Sequence, residues 1–437
     1  MTAIVRYFRF EENGATFRTE VIGGLTSFVT MAYIVAVNPG MLSEALGKDL
    51  FGELLFATCI SAALATLIMG IVANYPFALA PGMGLNAFFA YTVVLGMGVR
   101  WDLALGVVLA SGILFTLLTL VRVREAIINA VPDTIKHATA CGIGLFVAFI
   151  GLKNAGIVVA NPATLITLGE IRSGPVGLTL LGVLGTGVML ARGVKGAILY
   201  GMLGVTVLGM LTGVNAAPEG FFSLPAWPEQ LFGVAAVNLA AAFDVGLIGV
   251  VFVFLFVDMF DTMGTLVGVS GRAGFLDERG RLPRANRALL ADSLGTVFGS
   301  LFGTSTVTTY IESASGIAAG ARTGFASVVT GAMFLLALFL TPLVEAIPAF
   351  ATAPALIVVG VLMMASVVNV KWHDVTDALP AFLTLIAMPL TFSISDGLAM
   401  GFIAFPIVKR LGRQGDEVNP LVDLLAVIFI ARYLFMD

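Results

Sequence analysis

Gly303-Thr-Ser-Thr-Val-Thr-Thr309-Tyr-Ile-Glu312-Ser-Ala-Ser-Gly316 interrupts a chain built otherwise of long apolar runs. A helix that crosses the hydrocarbon needs roughly 20 predominantly apolar residues, and this stretch is too short and too polar to supply them. Its first half is rich in β-branched and hydroxyl residues, which favours an extended start. A second interrupted segment stands nearer the amino end: Tyr75-Pro-Phe-Ala-Leu-Ala-Pro81-Gly82-Met-Gly84-Leu-Asn86-Ala-Phe-Phe-Ala90. Irregular backbone at bilayer depth is tolerated only where it lines a cavity or is buried in protein, because lipid offers its polar groups no partner.

Windows of roughly 19 residues divide the chain into fourteen apolar segments, near 22–42, 53–73, 76–92, 102–121, 138–158, 175–191, 195–213, 246–268, 288–302, 304–320, 323–341, 353–368, 376–394 and 396–410. The interrupted segments are third in the first seven and third in the second seven. Broken segments at corresponding positions of two halves mark inverted repeats with a binding site at the midplane. The expected architecture is an all-α polytopic membrane protein of fourteen transmembrane segments, with short strand-plus-half-helix segments at spans 3 and 10. Residues 1–213 form the first repeat (spans 1–7), 214–244 a linker and 245–437 the second (spans 8–14). The linker carries Pro218, Pro225, Trp227 and Pro228 and reads as external, with Trp227 as an interface anchor. Leu421 to Phe435 is apolar but contains Asp423 and Arg432, and reads as an interfacial or packed terminal helix.

Composition excludes a soluble domain. The 437 residues are 59% hydrophobic and 11% charged, against about a quarter charged in soluble proteins. Mean hydropathy is +1.02. Arg6, Arg9, Glu11, Glu12 and Arg18 make the amino end an amphipathic lead-in rather than a secretory leader. Cys59 and Cys141 lie in apolar segments without partners at ligand spacing, so they read as small buried hydrophobes. Of the 23 lysines and arginines, only Lys48, Arg100, Lys153 and Arg172 fall outside when both termini are cytoplasmic. The rest, including Arg122, Arg124 and the five arginines between Ser270 and Arg287, collect inside, as the positive-inside rule requires. The expected location is the plasma (inner) membrane, multi-pass, with the bilayer itself as a partner.

Charge inside the apolar run Val250 to Val269 points to function. Asp258-Met-Phe-Asp261-Thr-Met-Gly264 places two carboxylates there, at an insertion cost on the order of 2.5 to 3.5 kcal/mol each. Positions i and i+3 share a helix face, so both are expected to look into one space. Glu312 is the third such acid. The other apolar segments read as free of lysine or arginine away from their ends to neutralise these groups. Asn86 offers an amide donor-acceptor face, Thr309 a hydroxyl, and Phe88 or Phe89 either a stacking face or core packing. Such a site suits a flat, neutral, nitrogen-rich ligand and disfavours anions. Buried acids also serve as proton relays in transporters, which makes Asp261, Asp258 and Glu312 the candidates for proton coupling.

Other polar residues carry less. Asn38-Pro39-Gly40 is expected to end or bend the first span, and Asp292 to cap a helix start. Asp374, Asp377, Glu345 and Asp396 read as ordinary solvated segment ends, His137 and His373 as interfacial.

Four motifs, in order, carry a resemblance. They are Gly24-Leu-Thr-Ser-Phe-Val-Thr-Met-Ala-Tyr-Ile-Val-Ala-Val-Asn-Pro-Gly40, Ala80-Pro-Gly-Met-Gly-Leu-Asn-Ala-Phe-Phe-Ala-Tyr91, Asp258-Met-Phe-Asp-Thr-Met-Gly-Thr265 and Gly303 to Gly316 as quoted above. Together they look like the AzgA-like purine permeases, a branch of the nucleobase-cation symporter (nucleobase-ascorbate transporter) family. The resemblance implies a core domain of spans 1–4 and 8–11, a gate domain of spans 5–7 and 12–14, a homodimer through the gate and an elevator-type motion. It also implies proton-coupled uptake of adenine, guanine or hypoxanthine, with no cofactor and no nucleic-acid partner. Carried over by motif position, Asn86, Asp258, Asp261 and Glu312 are binding and coupling residues. Asp258 and Glu312 are expected to hold the purine, and Asp261 to couple the proton or hold its neighbour. The uracil- and xanthine-type branches typically have Glu where Asp258 stands, which favours the purine branch and keeps the other as the alternative. An anion transporter on the same fold is disfavoured by the acids. An intramembrane aspartyl protease needs its aspartates on two spans and a Gly-x-Gly-Asp signature, so an enzyme is not expected.

Overall fold

The computed structural model describes residues 2–121, 131–278 and 282–435. Arg122, Arg124, Arg279 and Arg281, counted above among the cytoplasmic charges, lie outside the described residues. Among those described, eight helices are long and apolar enough to cross a membrane, and shorter apolar helices run over Met83–Gly96, Ala197–Leu211, Val375–Thr391 and Pro420–Ala431. The protein is a multi-pass, mainly helical membrane protein, as a chain that must satisfy its backbone within each segment has to be.

The two interrupted segments meet. Strand β1 (Leu79–Pro81) leads into a short helix, Met83–Ala87, which continues as a wider π-type turn over Phe88–Gly96. The second interrupted segment has the same plan. Its strand pairs antiparallel with β1, Leu79 opposite Thr309, Ala80 opposite Thr308 and Pro81 opposite Val307, and is followed by the helix Ser313–Ala318. Backbone bonds extend the ladder at both ends, from Gly82 N–H to Thr306 (2.9 Å) and from Tyr310 N–H to Ala78 (3.0 Å). The Tyr310 hydroxyl closes it by donating to the Pro81 carbonyl at 2.5 Å. Both strands are buried. The helix Ala285–Phe302 lies directly on the second strand because Gly295 and Gly299 face it: a Cβ there would stand 3.0 and 2.9 Å from Val307.

A separate hairpin pairs β2 (Val158–Asn161) with β3 (Leu165–Leu168); the strand Val307–Thr309 is therefore β4. This hairpin corrects the apolar segment drawn over 138–158, whose helix runs Asp133–Asn154. Beyond it the β-branched run favours strand, and the Asn161 carboxamide accepts the N–H groups of Ala163 and Thr164 to make the turn.

The first span also differs from expectation. It breaks at Ala32–Tyr33 into Phe17–Met31 and Ile34–Leu46, while Pro39 sits inside the second piece. Tight i to i−3 bonds from Val35 and Ala36 form the break. Asn38, expected at a bend, donates to Thr58 Oγ1 (2.8 Å) and Thr304 Oγ1 (3.0 Å), tying three segments together. Further out, the buried Glu20 accepts the N–H groups of Arg322 (2.7 Å), Thr323 and Ala326 (3.1 Å) and the Thr323 hydroxyl (2.9 Å). That carboxylate thereby caps the helix Gly324–Ala337. Trp227 packs against Phe56, Phe232 and Phe302, so it anchors the linker to the protein.

The reading of the interior as free of basic partners fails at Lys409. Its side chain is fully buried and Nζ donates to Asp377 Oδ2, Gln414 Oε1 and Glu417 Oε2, each at 2.8 Å. Asp377 is accordingly no solvated segment end; it is buried and also accepts the Thr134 hydroxyl at 2.6 Å. Asp374, in the connection before it, caps the helix Val375–Thr391, and the Thr376 hydroxyl and N–H hold its carboxyl below the ordinary range. Removing one partner of a buried ion pair costs about 3 to 5 kcal/mol, against about 0 to 1 for an exposed pair. Asp377→Ala is therefore expected to lower the thermal unfolding temperature clearly in detergent. Asp423→Ala, which removes the exposed partner of Arg410, is expected to leave it nearly unchanged.

Candidate functional site

Helix Val245–Ala273 begins at Asp244, whose side chain accepts the Gly246 N–H at 3.0 Å. Thirteen residues along it, Asp258 is 1% exposed and turned toward the helix Ala285–Phe302. The Thr296 hydroxyl lies 3.2 Å from Asp258 Oδ2 and 3.2 Å from the Val307 carbonyl, and accepts the Val307 N–H at 3.1 Å. Asp258 is thus bonded, through one hydroxyl, to the edge of β4.

The next residues continue this network. Thr262 donates to Asp292 Oδ2 at 2.7 Å and touches the Thr308 hydroxyl at 3.0 Å, while Thr309 donates to Asp292 Oδ1 at 3.3 Å. Asp292 corrects its expected role as a helix-start cap. The helix starts earlier, at Ala285, in a polar turn that hydropathy windows miss, and Asp292 is fully buried against β4. Each β4 residue is therefore held by a polar side chain of a packed helix, which fixes where the segment after the strand points.

Asp261, one turn beyond Asp258, is partly exposed, and so is Glu312, just past β4. The two lie within each other's electrostatic reach. Glu312 Oε1 accepts the hydroxyl of the fully buried Tyr33 at 2.6 Å. The structure therefore brings together Asp261, Glu312 and Tyr33, from one full-length helix, one half-helix start and one helix break. Asp258 is the more deeply buried of the two acids on this helix and bonds the Thr296 hydroxyl.

Asn86 lies in the Met83–Ala87 half-helix, fully buried, and both its amide oxygen and nitrogen are without a hydrogen-bond partner among the described residues. It makes no direct bond to the three acids. Phe88 is 1% exposed and packs edge-on against Phe254 at 5.0 Å, which is core packing rather than an open stacking face. Thr309 serves Asp292. Tyr33, Thr296 and Asp292 were missed in the sequence; a tyrosine or threonine in an apolar run carries no local mark of a distant carboxylate partner.

With this geometry in place, comparison with known proteins is informative. Residues 18–400 match the pattern of a family described as "Permease family". The chain belongs to this permease family, the nucleobase-ascorbate family that its four motifs resemble. Among its relatives, the guanine/hypoxanthine permease PbuG of Bacillus subtilis is 48% identical, over 98% of this chain and 99% of that protein. The adenine permease AdeP of Escherichia coli is 45% identical, over 99% and 96%. A putative permease of Methanocaldococcus jannaschii is 53% identical, over 100% and 99%. The fold is that of the transmembrane domain of the cyanobacterial bicarbonate transporter BicA, with a TM-score of 0.65 at 18% identity, covering 88% of this chain and 96% of that one.

In this permease Thr296 joins two helices and a strand through one oxygen. A buried partner left unsatisfied costs about 1 to 3 kcal/mol. Thr296→Val is expected to lower the unfolding temperature of the purified protein, and Thr296→Ser, which keeps the hydroxyl, to restore most of it.

Proposed function

We propose that this permease imports neutral purine nucleobases, adenine, guanine or hypoxanthine, by proton symport and elevator-type alternating access. The carrying observation is the pair of carboxylates Asp261 and Glu312, partly exposed on two different elements and within each other's electrostatic reach. Purines present ring N–H and exocyclic NH₂ donors, and carboxylates are acceptors. The family relatives with guanine/hypoxanthine and adenine in their names span the whole chain, which supports the substrate class. Two acids facing one space repel an anion, so the likeness to a bicarbonate transporter supports the fold and not its cargo.

Within this reading Asp261 and Glu312 hold the base, and either can carry the coupled proton. Asp258, first expected to touch the base, acts from behind through Thr296 and β4. Asn86, with both amide atoms available, is the polar contact from the first broken segment. Fourteen spans in two inverted repeats, 1–213 and 245–437 joined by 214–244, account for the antiparallel meeting of β1 and β4. Spans 1–4 and 8–11 then form the core that carries the site. Spans 5–7 and 12–14 form the gate and the homodimer contact, with both termini cytoplasmic in the inner membrane.

Uptake of labelled hypoxanthine, guanine and adenine into proteoliposomes tests this. A charge-assisted hydrogen bond is worth about 1.5 to 3 kcal/mol, so Asp261→Asn and Glu312→Gln are each expected to cut uptake at least roughly tenfold, at unchanged protein abundance. Full uptake by either variant would refute its place in the site. An inward proton gradient is expected to drive accumulation, and its collapse to abolish it. Accumulation indifferent to that collapse would refute proton symport.

A further inference from the structure

Tyr33 has no part in the proposed transport cycle, yet it bonds one carboxylate of the pair directly. Its hydroxyl donates to Glu312 Oε1 at 2.6 Å across 279 residues of sequence. A bond of that length between a hydroxyl and an ionised oxygen belongs to the strong, charge-assisted class. The ring is fully buried, so the donor cannot swing away. The backbone holds it as firmly: Tyr33 occupies the break between Phe17–Met31 and Ile34–Leu46, and its carbonyl accepts the N–H groups of Ala36 (3.1 Å) and Val37 (3.0 Å), starting the next helix. Both residues of the break keep right-handed helical backbone, so the tightened turn carries the span on while the Tyr33 phenol reaches the second broken segment.

Glu312 needs such a partner. It is partly exposed, and a glutamate has three rotatable bonds whose freedom must be frozen, at an entropic cost, when it meets a ligand. An acid that must receive a rigid base gains affinity when that cost is met before the ligand arrives. We infer that Tyr33 is a positioning residue: its hydroxyl holds Glu312 Oε1 and with it the orientation in which the carboxylate meets the substrate. The inference rests on the proposed role of Glu312 in base binding. A carboxylate held in one orientation also gives the site a direction. The ligand edge that meets Glu312 must carry a donor at one defined place, so Tyr33 contributes to discrimination among flat bases as well as to affinity.

Tyr33→Phe removes the hydroxyl and keeps the ring. Equilibrium binding of labelled hypoxanthine and adenine to the purified full-length protein, maximal uptake rate in proteoliposomes and ligand-free unfolding temperature are measured together. The expected result is a Kd about tenfold weaker for the preferred base, a maximal rate within about twofold of native and a small fall in unfolding temperature. A purely structural role would lower the unfolding temperature and leave Kd alone, and that outcome overturns the inference, as does a native Kd. Glu312→Asp supplies the second arm, because its shorter side chain withdraws from the hydroxyl. Adding Tyr33→Phe in that background is expected to change Kd by less than about twofold; a further tenfold loss would mean that the hydroxyl acts elsewhere and would overturn the inference. Glu312→Gln separates the two levels. If it binds base as native, the proposed function fails with this inference; if it loses binding while Tyr33→Phe keeps it, only the role of Tyr33 fails.

Discussion

Two three-residue strands, buried and paired in the protein interior, tie the two interrupted segments together. A strand cannot stand alone in hydrocarbon, since each unpaired N–H or C=O there costs several kcal/mol. β1 and β4 meet that demand with each other, and they are the first parts of two segments that lie far apart in sequence. Pairing them obliges the segments that follow, with Asn86 on one and Glu312 on the other, to start from a common centre. Side chains of two neighbouring helices then hold β4 at each residue: Thr296 at Val307, Thr262 at Thr308 and Asp292 at Thr309.

The carboxylates divide according to what lies behind them. Asp258 and Asp292 are buried against hydroxyls that also bond the strand. Asp261 and Glu312 sit one step further out, partly exposed, with Tyr33 fastening one oxygen of the pair. The four acids, drawn from three elements, thus differ in depth: Asp258 and Asp292 are fully buried, Asp261 and Glu312 are not.

How far this was legible in the sequence depended on whether a residue advertises itself locally. The broken segments did so, through proline, glycine and hydroxyl residues where an apolar helix was due. Asp258, Asp261 and Glu312 did so as charges in apolar runs. Their division of labour did not, because it depends on Thr296 and Tyr33, whose partners are 38 and 279 residues away. Asp292 and Asp377 were misread for a related reason. Both stand near the edge of a hydropathy window, where solvent is the default, and only the packing of Thr262 or Lys409 reveals burial. The β2–β3 hairpin was lost within an apolar run because Val158, Val159 and Ile166 suit helix and strand windows alike.

The central claim is that Asp261 and Glu312 jointly hold the substrate on a scaffold set by the strand pair. It is tested most directly by an experimental structure of the protein with hypoxanthine bound. The account predicts the ring between the two elements, with its donors about 2.7 to 3.2 Å from carboxylate oxygens of both Asp261 and Glu312. A base bound to Asp258 alone, or anywhere away from this pair, would contradict it.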